Sequence, residues 1–570
     1  MTTPPVSSRS ASALGVVAGL VAAIVALGVA ELVAGLKRSW KSPILDVGDR
    51  VVDRVPPPVK DFAIEQFGTN DKLALLIGIG VFLALYAAVI GAIAFRRRIA
   101  VGVVGIAVFG LFGAYAAFTR RVGGSIGETV PSVIGSIVGA GALFAVHRTF
   151  RPIVPTRASA SESAPESSSA SSPDADGDPE DVRGRVVSGG AQPVREHPAP
   201  MLDKKRAGRS RRQVLAQGGG LLALLAVAGA GAGSLGRSLK KRFSASESRA
   251  LVRLPSPAEQ PTAIPTGVSA GVDGISPFIT PNADFYRIDT ALTVPQLPTD
   301  DYELRITGMV DRELTFTFDE LLARDIVEYD ITLTCVSNTV GGNLVGNARW
   351  LGVRLDELLA EAGVKDGADQ VVGRSIDGYS CGFPLEAATD GRNAMVAFGM
   401  NGEPLPLEHG FPARLVVPGL YGYVSATKWL VEIEVTTFED FEQYWVPRGY
   451  ADRAPIKLMS RIDTVDGLGT LTRGPDGVAA IGGVAWAQTR GISKVEVQLD
   501  DGEWQPAELS DALNADTWRQ WAFRWTPAAA GRTSIRCRAT DSKGLIQTDE
   551  RSEPLPDGAS GHHQIVVFVE

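Results

Sequence analysis

The chain has 570 residues, 45% of them hydrophobic, and a formal net charge of −8 from 56 basic and 64 acidic side chains. That length is too great for one domain and sets an expectation of three or four. The charge is modest and no segment that reads as folded carries a dense basic face, which argues against nucleic acid as a partner.

Taken in chain order, segments 12–36, 72–95, 99–118 and 126–147 are apolar enough to span a bilayer, which takes about 20 residues. Residues 1–150 are therefore expected to form a four-helix transmembrane region. Gly and Ala are plentiful in it, as suits close helix packing in lipid. Glu31 is the one charged residue deep in these spans. Such residues mark ion pathways, but one near a helix end is thin support for a transporter, and an anchor or docking platform is expected.

Residues 151–212 follow as a cytoplasmic linker. Its stretch Ala158 to Asp181 is Ser, Pro and acid with nothing to bury, hence disordered. The linker ends in "KKRAGRSRRQVLAQGGG", where Ser210-Arg211-Arg212-Gln213-Val214-Leu215 resembles a twin-arginine export signal with Val214 in the usual Phe place. A cluster of cytoplasmic arginines holding the next helix explains the same residues. A fifth span, 213–236, comes next.

With the N-terminus cytoplasmic, Arg96, Arg97, Arg98, Arg148 and Arg151 lie inside, and everything after Lys240 lies outside. Lys37, Arg38 and Lys41 would then also be outside, against the rule. The expected setting is a bacterial cell membrane, multi-pass, with the soluble region extracytoplasmic and the export machinery as a partner.

Residues 237–274, rich in Pro, Gly and Ser, read as an extracytoplasmic linker. From 275 to 450 short strands alternate with turns. "FTFDELLAR" and "VRLDELLAEAGV" each predict a short amphipathic helix entered after a strand. "DYELRITGMV" and "PARLVVPGLYGYVSATKWLVEIEVTTF" read as strand-dominated, giving an α+β domain. From 451 to 570 alternating strands follow at short spacing, with Asp501-Gly502 a hairpin signal, and predict an all-β sandwich. Trp486, Trp504, Trp518, Trp521 and Trp525 read as core and interface residues.

Five histidines and three cysteines limit the chemistry. No Cys-x-x-Cys, phosphate-binding loop or paired His motif occurs, and no bis-histidine haem fits between the helices. Cys335 closes the alternating run in "DITLTCVSNTVGG". It reads as a buried filler, half of a disulfide with Cys381 or Cys537, or a reactive or ligating thiolate. In "PLEHGFPARLVVPGLYGYVSATKWL" a His, an Arg, a Ser and a Lys along strand–loop–strand suit an anionic ligand; a salt-bridged surface edge would look similar.

Together these blocks resemble the sulfite oxidase family of molybdenum enzymes over about 275–570. "TLTCVSN" with "ARWLGVRLDELL" resembles its molybdenum–cysteine loop, and "HGFPARLVVPGLYG…SATKW" its pterin segment. "SRIDT…GVAWA…GISKVEVQLDDGEW" and the ending "LPDGASGHHQIVVFVE" resemble its C-terminal sandwich. The resemblance implies transmembrane helices, then an α+β sulfite-oxidase-type molybdopterin domain, then an immunoglobulin-like dimerisation sandwich. It implies that Cys335 ligates molybdenum in a molybdopterin cofactor, a soft ligand for that metal, and that Asn282 lies over the cofactor. Asp377, His409, Arg414, Ser425 and Lys428 would hold the pterin and its phosphate. Two-electron oxygen-atom transfer is the implied chemistry, supplied by the cofactor.

Departures from the pattern bear on the substrate. Where sulfite oxidases carry arginines about the substrate oxyanion, this chain has Pro281, Thr339, Val340 and Val424. A doubly charged anion in a partly desolvated pocket needs such donors, so sulfite is doubtful. A less charged, sulfur-containing small molecule is expected, with Tyr379, Tyr421 and Tyr423 as candidate lining and Tyr379 as a candidate catalytic group. No haem and no cytochrome b5 module are expected in the chain. Electrons would pass to a separate carrier, a quinone-linked protein or cytochrome. The competing reading is a catalytically idle cell-surface binding or assembly protein that retains the fold.

Overall fold

The computed structural model describes residues 8–56, 59, 66–67, 71–120, 124–151 and 211–570; the expected tether 158–181 and Ser210 of the export-like motif lie outside the described residues. The chain divides into two compact units. One comprises Met1–Ala34, Ile77–Ala114 and Thr129–Gly236, the other Gly35–Leu76, Tyr115–Glu128 and Arg237–Glu570.

Helices α1 (Ser8–Ala34), α2 (Pro43–Arg54), α3 (Asp71–Arg96), α4 (Ile99–Phe118), α5 (Val130–Phe150) and α6 (Arg211–Lys241) precede the soluble region. All but α2 are long and apolar enough to cross a membrane. In the first unit the backbones come close where side chains are absent. A Cβ at Gly19 of α1 would collide with the Ala87 carbonyl of α3, and one at Gly28 with the Gly229 carbonyl of α6. Such contact is the small-residue packing that lipid, lacking a hydrophobic drive between helices, favours.

The short helix α2 is not legible as a span. It starts at Pro43, a residue whose fixed φ suits the first turn, carries Asp46 in that turn, and ends at Arg54. It belongs to the second unit with the connectors around it. Lys37, Arg38 and Lys41, which run against the charge rule, each have an acid nearby. Lys37 lies 3.8 Å from Glu128, Arg38 pairs with Asp301, and Lys41 lies 2.9 Å from Asp49. Arg120 bridges Asp46 and Glu128 at 2.5 and 2.6 Å. The Lys240 ammonium, at the end of α6, donates to the carbonyls of Lys37, Arg38 and Trp40 at 3.1, 2.7 and 2.7 Å.

Residues 237–274, expected as a linker, lie against the soluble domain instead. They contain α7 (Ser246–Leu251); Arg249 Nε donates to Leu405 O at 2.8 Å, and the Ala258 amide to Ile326 O at 2.8 Å. Proline-rich extended chain suits a surface strap of this kind, because its few amides need few partners.

The α+β domain begins with β1 (Glu303–Gly308), β2 (Leu314–Thr317), α8 (Phe318–Leu322), β3 (Ile326–Thr334), β4 (Val345–Arg354) and α9 (Leu355–Ala362). It continues through β5 (Gln370–Ser375), β6 (Ser380–Pro384), α10 (Glu386–Thr389), β7 (Met395–Met400), β8 (Glu403–Pro404), β9 (Arg414–Val416), α11 (Gly422–Ser425) and β10 (Leu430–Thr436). α8 starts where Thr317 and Glu320 satisfy each other's amides in a capping box. One sheet has the order β2-β1-β10-β5-β6; the other has β3-β4-β7-β8, with β9 pairing β7. Trp350, Ile331, Leu333 and Phe411 pack in a core behind the second sheet.

The C-terminal layers contain β11 (Met459–Ile462), β12 (Thr470–Leu471), β13 (Ala479–Trp486), β14 (Ile492–Leu499), β15 (Gln505–Pro506), β16 (Glu508–Leu509), β17 (Arg519–Trp525), β18 (Gly531–Asp541) and β19 (His563–Val569). They form a sheet β11-β13-β17-β16 and a sheet β12-β19-β18-β14-β15. The Asp501-Gly502 signal falls between β14 and β15, which pair antiparallel. Trp486, Trp518 and Trp521 are buried.

These layers hold the edge of the first domain. β3 is the outer strand of its sheet, and its open side is covered by loop 514–518 and Gln488. The Thr332 amide donates to Asp516 O at 3.0 Å, Gln488 Nε2 to Thr332 O at 2.9 Å, and Asn514 Nδ2 to Asp330 O at 3.1 Å. An exposed edge strand is thereby satisfied by another part of the chain.

Candidate active site

Cys335 directly follows β3. Its amide donates to Leu344 O at 2.9 Å and its carbonyl accepts from the Asn338 amide at 3.1 Å, while Asn338 Oδ1 accepts from the Leu344 amide at 2.8 Å. The loop is therefore rigid, and Cys335 is 6% exposed. No disulfide joins the three cysteines, which removes that reading of Cys335. Cys381 contacts the Thr427 hydroxyl at 2.8 Å and Cys537 the Ser460 hydroxyl at 3.3 Å, and burial pushes each thiol up to about 12. Both are protonated packing residues. Cys335 differs from both in following a strand directly into a loop.

Tyr286, Tyr379 and Tyr421 stand close enough to Cys335 to feel a charge there, and loss of solvent raises all three phenols well above their usual range. A cationic group is built by the turn before β9, by Arg414 at the start of β9 and by the segment leading into β10. Arg414, 5% exposed, donates Nη1 to His409 O at 3.1 Å and Nε to Leu415 O at 3.4 Å, and its guanidinium lies 5.0 Å from the Trp350 ring centroid. Among the described residues no carboxylate pairs with it, and burial draws it down to about 10. Lys428 donates Nζ to Asp289 Oδ2 at 2.7 Å and to Glu408 O at 3.0 Å; burial draws it down to about 8. His409 Nε2 meets the Asn282 carbonyl at 3.1 Å. Burial, then Arg414 and Lys428, lower the ring to about 4, so it is neutral at pH 7.

His409, Arg414 and Lys428 thus converge, as their spacing suggested. Asn282 joins them through its carbonyl only. Its side chain donates to Met400 O at 3.2 Å and Glu403 Oε1 at 2.6 Å, and accepts from Asn401 Nδ2 at 2.8 Å. Ser425 gives its hydroxyl to carbonyls of its own helical turn, Leu420 O and Tyr421 O. Asp377, on the β5–β6 turn, accepts from the Tyr379 amide at 3.0 Å, and Tyr379 Oη donates to Tyr423 O at 2.7 Å. Tyr423 in turn donates to Ala451 O and packs on Tyr450, a structural use. Val424 is buried in the apolar core and Pro281 and Thr339 are exposed.

Sequence reasoning missed Tyr286, whose hydroxyl sits by Gly422, and Asp289 with Arg287. All three lie within eight residues of Asn282 in "TPNADFYRID", a run of polar and aromatic residues, and that density was the available signal.

A molybdenum–pterin group fits these residues. A buried guanidinium without an acid is costly unless an anion joins it, and a terminal phosphate would supply one. A loop thiol beside three tyrosines is a soft donor in a partly apolar setting.

Comparison with known proteins agrees. Residues 291–445 match the family described as oxidoreductase molybdopterin binding domain. The chain is 31% identical over 317 residues to mitochondrial sulfite oxidase of Rattus norvegicus, covering 48% of this chain and 58% of that one. It is 30% identical over 317 residues to sulfite oxidase of Gallus gallus, covering 48% and 68% respectively. It is 32% identical over 194 residues to NADH nitrate reductase of Solanum lycopersicum, covering 29% and 21%. The chain thus spans little more than half the length of the rat enzyme. The chain belongs to the sulfite oxidase family of molybdopterin-binding oxidoreductases.

Proposed function

We propose that this protein is a membrane-anchored, extracytoplasmic molybdenum oxidoreductase acting on a small, weakly charged, sulfur-containing substrate. The bound cofactor would supply two-electron oxygen-atom transfer, with electrons then exchanged with a separate carrier. Cys335 would hold the metal, and Arg414, His409 and Lys428 the pterin phosphate. The buried guanidinium of Arg414 carries this reading, because among the described residues no acid pairs with it and it is a cation arranged for an anion.

The substrate claim rests on Pro281, Thr339, Val340 and Val424. Two are exposed and one is locked in the apolar core, so none offers a charged donor to an oxyanion. Tyr379 and Tyr286 would instead line the access to Cys335 and keep water out. The sidedness claim is supported by the connectors, since residues 35–76 and 115–128 belong to the same compact unit as 237–570. The immunoglobulin-like character of the C-terminal layers and a homodimer through them complete the proposal.

The test is metal and pterin analysis of the purified full chain, followed by turnover with sulfite, sulfoxides and N-oxides against artificial electron donors and acceptors. Stoichiometric molybdenum with turnover of a neutral sulfoxide and none of sulfite is expected. A metal-free, pterin-free protein would leave the binding or assembly reading in its place.

A further inference from the structure

Asp289 gathers three cations. Its Oδ1 lies 2.6 Å from Lys72 Nζ, and its Oδ2 lies 2.9 Å from Arg287 Nε and 2.7 Å from Lys428 Nζ. The carboxylate and Lys428 are nearly solvent-free, at 4% and 9% side-chain exposure, whereas Lys72 and Arg287 reach them from outside at 28% and 36%.

The ammonium of Lys428 has three donors. Asp289 and Glu408 O take two of them. The ammonium also lies 4.6 Å from the Trp429 ring centroid, and its orientation is set by these contacts, the bond to Asp289 among them. Asp289 is in turn fixed by Lys72, which enters from the first turn of α3, 217 residues away in the chain.

We propose that Lys72 is a positioning residue for the cofactor phosphate: it clamps Asp289, and Asp289 aims Lys428 at the anion. The inference rests on the proposed cofactor site. It makes the first turn of α3 a part of the cofactor-binding machinery. A buried ammonium in a low-dielectric site favours a doubly charged phosphate, and the clamp keeps Lys428 preorganised for it.

The experiment uses full-length protein in detergent and reads molybdenum and pterin per chain, then the rate of pterin release after dilution. Losing a charge-assisted bond of this kind corresponds to about tenfold faster release in Lys72→Gln, with Asp289→Asn faster still. Lys72→Arg, which keeps a donor for the carboxylate, should release at the wild-type rate. Arg38→Ala removes a different connector contact, the pair with Asp301, and should also release at the wild-type rate.

Wild-type release in Lys72→Gln overturns the proposal, as does fast release in a folded Lys72→Arg protein. Equal loss in Arg38→Ala and Lys72→Gln overturns it in favour of simple docking of the connector. Absence of molybdenum and pterin from the wild-type protein is the separate failure of the parent reading, and removes this inference with it.

Discussion

The backbone amide of Trp518 donates to the side-chain hydroxyl of Thr332 at 2.8 Å, so the C-terminal layers grip β3 three residues before Cys335. That hydroxyl also donates to Asn347 Oδ1 at 3.0 Å. Thr332→Val keeps the shape and removes both bonds, leaving a buried donor and acceptor unmet at a cost of about 3 kcal/mol. Denaturant unfolding of the full chain should show this loss, while Thr332→Ser should stay near wild type. An unchanged midpoint in the valine variant would mean the grip contributes nothing.

Cys335→Ser should abolish molybdenum retention and turnover while leaving the unfolding midpoint close to wild type, because backbone and Asn338 bonds that the substitution keeps hold the loop. Metal analysis and assay of the purified variant decide. Retained turnover would remove the thiolate from the mechanism.

Arg414→Met separates binding from stability. A buried, acid-free guanidinium opposes folding, so the cofactor-free variant should gain about 1–2 kcal/mol while its pterin content falls. Calorimetry and pterin fluorescence of one preparation check both signs, and a parallel fall of both would contradict the argument.

His409 gives a pH dependence. Its ring is held at about 4 by burial first, with Arg414 and Lys428 adding to the effect, against an ordinary value of about 6.5. Between those values the unfolded chain binds a proton that the native state refuses. Stability is therefore full above pH 6.5 and lost as pH falls to 4, by about 3 kcal/mol. His563, also held at about 4 by burial, adds to the same slope. Denaturant midpoints of the cofactor-free protein from pH 7.5 to 4 should show the fall, and His409→Gln should flatten it.

Arg211-Arg212→Lys-Lys tests the export reading. The soluble domain should stay inside the cell and resist protease added to intact cells. Unaltered cleavage in the variant would assign those arginines to holding the helix alone.

Cys335, Arg414 and Lys428 were named because each sits in a local string that resembles the family's molybdenum–cysteine loop or pterin segment; their local spacing alone left other readings open. Asn282 was legible as a position and not as a contact, since its amide turns to Glu403, a residue 121 places later that no local pattern links to it. The clamp of Lys72 on Asp289 was hidden for the same reason. A lysine at the start of an apolar helix reads as a membrane-boundary charge, and the packing of a connector onto a distant loop leaves no periodic trace. α2 was missed because its apolar stripe is too short to resemble a span.

The Lys72–Asp289 bond also sets an order of events. On the proposed topology the connector reaches the outer face when α1 and α3 insert, whereas a twin-arginine substrate folds and loads its cofactor inside. The two residues then meet only after the domain has crossed. A molecule caught before crossing would hold its cofactor with Arg414, His409 and Lys428 but without the clamp, and would release it sooner. On that topology the exported protein would differ from its cytoplasmic precursor by its connector contacts, the Lys72–Asp289 clamp and the Arg38–Asp301 pair among them.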